Sequence, residues 1–285
     1  MKGEPSVAPS GGDLPATMSS AMSSLTRYHD YLWSKVHPWL GSRVMEIGVG
    51  YGQYSRRILA EGRRLLACDI DEGHLRELKQ AADTPMLATL RLDLESPEEA
   101  RAAAESFRPD SIVLLNVLEH IGPHEKALAF LRTVAVPGAR LILIVPALPV
   151  LFNSLDKEAG HHRRYRLGSL RRVATSAGWN EARSRYINLP GVPGWLLAGW
   201  LSRGSPSGTS LNAPSTNGLL SLYDRLFVGI ARMTDPVAAK IGGLSALMVA
   251  VNGIMEEAAE PVESAGGMAE AALPEGLEQA RSADS

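Results

Sequence analysis

The chain has 285 residues, 45% hydrophobic and 21% charged, enough apolar material to bury one sizeable core. A formal net charge of −2, with basic residues mostly Arg, provides no global basic surface for nucleic acid. One cysteine, Cys68, excludes an internal disulfide, and no unbroken apolar run reaches the ~18–20 residues of a membrane span.

Residues 1–20 are rich in Ser, Pro, Gly and Ala and lack the basic and apolar regions of a signal peptide, so they read as a disordered arm on a soluble, cytoplasmic protein. A leading helix is predicted from Tyr28 to Leu40. An apolar strand then enters Glu46-Ile47-Gly48-Val49-Gly50-Tyr51-Gly52, and a helix follows over Gln53 to Glu61. Glycine permits a sharp turn and a close approach of ligand to backbone. The dinucleotide fingerprint places its third Gly where Gln53 stands; here that Gly comes one residue early. Glu46 would repel a pyrophosphate and suits a cationic ligand.

The second strand, Arg64 to Cys68, ends in Asp69-Ile70-Asp71. Asp69 lies 17 positions after Gly52, close to the spacing of about 20 at which a carboxylate on the neighbouring strand tip accepts ribose hydroxyls. After a helix over Glu72 to Ala82, a third strand, Met86 to Leu92, ends in Asp93-Leu94, suited to an adenine amino group. A helix over Pro97 to Glu105 leads to the fourth strand, Ser111 to Leu115, which ends in Asn116-Val117-Leu118-Glu119-His120. Any one Asp after a strand is equally well a helix N-cap. The ordered set of four polar or glycine-rich tips is what an open α/β sheet presents to a ligand.

A helix over His124 to Ala135 opens after Pro123, and the apolar run Arg140 to Pro146 reads as a central, buried strand. The pattern then breaks from Ala147 to Leu167, long enough for a functional loop or lid. Helix Ser169 to Ala177, strand Asn180 to Tyr186, a flexible surface loop over Ser202 to Asn217, an amphipathic helix over Leu219 to Met233 and an apolar strand over Leu244 to Val251 complete the set. Residues 254–285 have the composition of a disordered acidic tail.

These motifs together resemble class I S-adenosylmethionine-dependent methyltransferases of the small-molecule type. They are Glu46-x-Gly48-x-Gly50-x-Gly52, Asp69-x-Asp71, Asp93-Leu94, Leu118-Glu119-His120-Ile121 and Pro137-Gly138-Ala139-Arg140. The ligand implied is a sulfonium with an amino group and no phosphate. The resemblance implies a doubly wound α/β fold: a mostly parallel, seven-stranded Rossmann-like sheet with an antiparallel edge strand and a small cap insertion after strand five. It covers one domain over 21–253, with cap segments at about 147–168 and 187–235. It further implies that the Glu46 to Gly52 loop, with Gly48 and Gly50, holds the methionine end of S-adenosylmethionine, Asp69 the ribose, and Asp93 and Leu94 the adenine, with Gln53 and Ile70 also in the cofactor site. Asn116 would lie near the amino group. Ala139 and Val49 depart from residues common in the family. No metal is implied.

The small-molecule acceptor must then enter beside the tips of strands four and five. The densest polar cluster there is Asp156-Lys157-Glu158-Ala159-Gly160-His161-His162-Arg163-Arg164-Tyr165. His161 is a candidate general base or orienting group beside Arg164 and Tyr165, with His120 the other candidate. The arginines could bind an anionic acceptor or form a solvated basic turn. His161 and His162 would not share a metal, since neighbours in an extended segment point to opposite sides. Trp195 and Trp200 could roof an acceptor pocket, meet the partner of a homodimer or pack a cap helix. A hydrophobic acceptor methylated on oxygen, with nitrogen and carbon open, is the leading reading. The alternatives are a cyclase, an isomerase or a non-catalytic S-adenosylmethionine-binding partner on the same fold, and a nicotinamide-dependent oxidoreductase that would need a later third Gly.

Overall fold

The computed structural model describes residues 25–202 and 214–253. The expected N-terminal arm and acidic tail lie outside the described residues, as does most of the expected surface loop. Nine α-helices and seven strands are described, in the order α1 (Thr26–Val36), β1 (Arg43–Ile47), α2 (Gln53–Ala60), β2 (Arg64–Asp69), α3 (Glu72–Ala81), β3 (Leu87–Arg91), α4 (Arg101–Phe107), β4 (Ser111–Leu115), α5 (His124–Val134), β5 (Arg140–Pro146), α6 (Ser154–Glu158), α7 (Leu167–Ser176), β6 (Asn180–Ile187), α8 (Gly191–Ser202), α9 (Pro214–Ile241) and β7 (Ser245–Val251).

The strands form one sheet in the order β3-β2-β1-β4-β5-β7-β6. β1 to β5 run parallel, while β7 is antiparallel to both β5 and β6. The expected antiparallel strand is therefore the inner member of the pair at that edge, and β6 is the outermost strand. All seven residues of β7 are buried, which explains its unbroken apolar sequence: both faces are covered.

Side chains alternate across each strand and divide the core in two. Met45, Ile47, Leu66, Ile112, Leu114, Leu141 and Leu143 face Phe107, Leu128, Leu131, Leu170 and Trp179 of the α4, α5 and α7 side. Val44, Leu65, Val113, Ile142, Ile144 and Val249 face Tyr31, Leu32, Ile58, Leu78 and Val228 of the α1, α2, α3 and α9 side. Cys68 is fully buried in the first layer.

Two element boundaries shift in an informative way. The leading helix passes into a 3-10 turn at His37–Trp39, where Pro38 cannot supply a backbone donor. The last helix begins at Pro214 and runs to Ile241, so Pro214 to Asn217 of the expected loop are helical, and the helix continues past Met233 through Pro236. Asp224 of α9 accepts from the backbone N–H groups of Arg27 and Tyr28 at 3.1 and 2.7 Å, closing the start of α1 with a carboxylate from distant sequence. Tyr31 Oη donates to Asp235 Oδ1 at 2.7 Å, a second tie between these helices. Among the described residues, no helix is long and apolar enough to cross a membrane.

Candidate cofactor and acceptor site

Strand order reverses between β1 and β4, so the crevice of the sheet opens at their C-terminal ends. Gly48, Gly50 and Gly52 have φ of 74, 49 and 69°, the left-handed region that side chains disfavour. A Cβ on Gly48 would lie 2.5 Å from Val117 Cγ2, so the loop after β1 packs directly on the loop after β4. Asn116, at the β4 tip, is also left-handed at φ 55°, a conformation Asn tolerates better than most residues.

Asp69 closes this loop from the β2 tip. Its Oδ2 accepts from Gly50 N–H at 3.0 Å and its Oδ1 from Asp71 N–H at 2.9 Å. Each oxygen keeps a second lone-pair direction for a ligand hydroxyl. His74 Nδ1 stands 3.5 Å from Asp69 Oδ2, a neighbour that the sequence pattern did not single out. Ile70 is exposed beside it. Asp93 accepts from Glu95 N–H at 2.8 Å, and the Leu94 side chain is buried in the core below the tip. Gln53 opens α2.

Glu46 is buried and accepts from Ser55 Oγ at 2.6 Å. Burial pushes its carboxyl up to about 8, against the Ser55 hydrogen bond and with the nearby Asp69 charge adding to the rise. The residues thus fit a ligand that carries a cation and a diol: a glycine cradle, a hydroxyl acceptor and a buried carboxyl that a cation would stabilise in its charged form.

The candidate acceptor side is built by a chain reversal. α6 opens with a capping box between Asn153 and Asp156 and is followed by Gly160, φ 75°. The chain then returns alongside the end of β5, with Tyr165 N–H donating to Pro146 O and Leu148 N–H to Tyr165 O at 2.8 and 2.9 Å. His162 N–H donates to Glu119 O at 2.9 Å. This brings the His161 ring against His120, edge to face, with centroids 4.8 Å apart.

Asp156 organises the reversal. Its Oδ1 accepts from His161 Nδ1 at 2.8 Å and from Arg164 Nε at 2.7 Å. Burial works to raise the Asp156 carboxyl, but these hydrogen bonds and the Arg164 charge hold it below the usual carboxylate range. The Arg164 guanidinium lies 4.6 Å from the Trp195 ring centroid, while Arg163 donates to Ile121 O and Gly122 O at 2.7 and 3.1 Å. Both arginines are thus committed internally, which corrects the anion-binding reading for these two. Tyr165 is buried and its hydroxyl shares a 2.7 Å hydrogen bond with His124 Nδ1, so its reactive end faces protein. Trp200 is 68% exposed and does not belong to the packed core.

Glu119 is fully buried next to His120. Burial pushes its carboxyl up to about 8, partly offset by its own backbone N–H and by Arg164. Burial, with the neighbouring His161 second, pushes His120 down to about 4.

A family model described as a methyltransferase domain matches residues 45–141. An S-adenosylmethionine-dependent Diels-Alderase, iccD of Talaromyces variabilis, is 30% identical over 115 residues, a match covering 39% of this chain and 39% of that relative. Among solved structures, the cyclase SpnF superposes with a TM-score of 0.50 at 14% identity, covering 80% of this chain and 81% of that one. A methyltransferase from Mesorhizobium loti gives 0.51 at 14% identity, covering 80% and 100%. One from Archaeoglobus fulgidus gives 0.51 at 12%, covering 81% and 94%. The fold is that of the class I S-adenosylmethionine-dependent methyltransferases, whose cofactor is S-adenosylmethionine.

Proposed function

We propose that the chain transfers a methyl group from S-adenosylmethionine to a small, hydrophobic acceptor, with oxygen the favoured nucleophile. The observation that carries this is the Asp69 carboxylate, tied to Gly50 and Asp71 over a left-handed glycine loop at the crevice of the sheet. Asp69 would hold the ribose and Glu46 and Asn116 the methionine end. Ile70, Asp93 and Leu94 would border the adenine, Leu94 through its backbone since its side chain is buried.

When bound, S-adenosylmethionine supplies an activated methyl, whose bond to sulfur breaks as the acceptor's lone pair forms the new bond and leaves an electron pair on sulfur. The protein's part is orientation, exclusion of water and removal of the acceptor proton. His161 is the proton acceptor we favour, because Asp156 fixes its Nδ1–H and leaves Nε2 free. His120, pushed down to about 4, is a weak base at neutral pH. Tyr165 serves as a positioning residue, through its bond to His124 and its backbone pairing with β5.

A second reading is favoured by the match to a Diels-Alderase and the likeness to a cyclase. In it the same domain binds S-adenosylmethionine and catalyses a ring closure without methyl transfer. Incubation with S-adenosylmethionine and a panel of phenols, enols and polyketide-like acceptors, followed by mass spectrometry, separates the two. Methylated product with stoichiometric S-adenosylhomocysteine supports transfer; an isomeric product with S-adenosylmethionine unspent supports cyclisation.

A further inference from the structure

We propose that Glu119, His120 and His161 form a site for one divalent transition-metal ion of the zinc, cobalt and iron(II) class. Their ligand atoms all lie within 4.8 Å of one another, with His161 Nε2 3.9 Å from Glu119 Oε1. Two imidazoles and one carboxylate suit these ions rather than magnesium or calcium, which prefer all-oxygen sites.

The second observation is independent of that clustering. The Glu119 side chain is fully buried, and neither of its carboxylate oxygens has a hydrogen-bond partner in bonding geometry. A buried carboxylate without a donor is costly, and a bound cation supplies the missing positive charge. Arg164, whose charge acts on Glu119, gives its Nε to Asp156 and a further donor to Ala147 O.

The surrounding residues have the form that a metal ligand requires. A ligating histidine donates its other ring nitrogen to a carboxylate, which fixes the tautomer and the ring. Here Asp156 takes the Nδ1–H of His161 at 2.8 Å, which leaves a lone pair on Nε2, 3.9 Å from Glu119 Oε1. Metal–ligand bonds of about 2.0–2.2 Å place tetrahedral ligands roughly 3.3–3.6 Å apart, so the three groups must draw together by up to about 1.5 Å. The tie of His162 N–H to Glu119 O holds the two segments in register for that closure. Adjacent His161 and His162 do not share the ion; the second imidazole comes from His120, brought over by the reversal at Gly160.

Three protein ligands leave at least one position open, the arrangement of catalytic sites rather than closed structural ones. An acceptor hydroxyl reaching that position is acidified by the ion. In the loaded protein His161 is then a ligand, and the ion removes the need for a separate strong base.

The test reads the ion itself, so its outcome is separate from that of methyl transfer. Full-length protein is stripped with a chelator, dialysed and titrated with Co2+ by visible absorption, then with Zn2+ in competition. The expected result is one ion per chain with a dissociation constant below about 10 μM. Glu119→Gln, which keeps the side-chain shape, and His161→Ala should each weaken binding at least tenfold, and Asp156→Asn by about 10–100-fold. His162→Ala should leave it unchanged. Folded wild-type protein that takes up neither ion at 1:1 stoichiometry overturns the proposal, as does a His162→Ala loss equal to that of His161→Ala.

Discussion

Asp156 and Glu46 are both buried carboxyls, and their surroundings move them in opposite directions. Asp156 accepts from His161, Arg164 and the Asn153 backbone. Removing one member of a buried ion pair leaves the other uncompensated, at a cost of about 3–5 kcal/mol. Asp156→Ala should therefore lower stability in urea by about that amount, and a loss below ~1 kcal/mol would mean that Arg164 does not depend on it. Because its folded pKa is depressed, its stabilising contribution is present above the usual carboxylate range and is lost as pH falls through the folded value. Glu46 runs the other way. Its folded pKa of about 8 lies above the ordinary carboxylate value, with Asp69 adding to the rise and Arg56 opposing it. Cofactor-free stability from this group is complete below the unfolded pKa and is lost as pH rises through about 8. Glu46→Gln should flatten the decline between about pH 5 and pH 8, and a thermal-melt profile identical to that of the wild type would contradict the assignment. Asp69 and Glu46 were legible because chemistry at a strand tip follows from local pattern. The Asp156–His161–Arg164 grouping was legible only as a polar cluster, since its pairing depends on a reversal at Gly160 that spacing alone does not reveal.

At the scale of elements, β1 to β4 were legible because each is a largely apolar run ending in glycine, Asp or Asn, and β5 because its apolar run is unbroken. The order of β6 and β7 was not, because an apolar strand reads the same whether its second covered face comes from being inside or from helices over an edge. The full length of α9 is not legible, because Ser, Thr, Asn and Gly before Leu219, and Pro236 after it, signal turns; its packing on α1 and β6 overrides them. The loops after β1 and β4 meet at Gly48 and Val117. Gly48→Ala adds a Cβ 2.5 Å from Val117 Cγ2 at φ 74°, and a left-handed non-glycine residue costs about 1–3 kcal/mol. We expect Gly48→Ala to weaken donor binding and to destabilise the fold. Adding Val117→Ala should recover the steric part and leave the backbone part, as read by melting temperature and calorimetry together. A double variant no better than Gly48→Ala would show that the two loops are not in contact.

Across the whole molecule, the proposed function gives the crevice of the sheet to the donor and the reversal after β5 to the acceptor. The two halves meet at the loop from Asn116 to His120. The acceptor half should be separable: His161→Ala should lower turnover by about 10²-fold or more while donor affinity is unchanged, and normal turnover would remove His161 from the chemistry. The donor half carries the central claim and is tested most directly by calorimetric titration of wild-type protein and Asp69→Ala with S-adenosylmethionine, with NADH as the competitor. Wild type should bind S-adenosylmethionine at 1:1 and not NADH. A folded Asp69→Ala should bind at least about tenfold more weakly, since each lost hydrogen bond to a charged group is worth about 1.5–3 kcal/mol. Equal affinity in the folded variant, or preference for NADH in the wild type, would contradict the account.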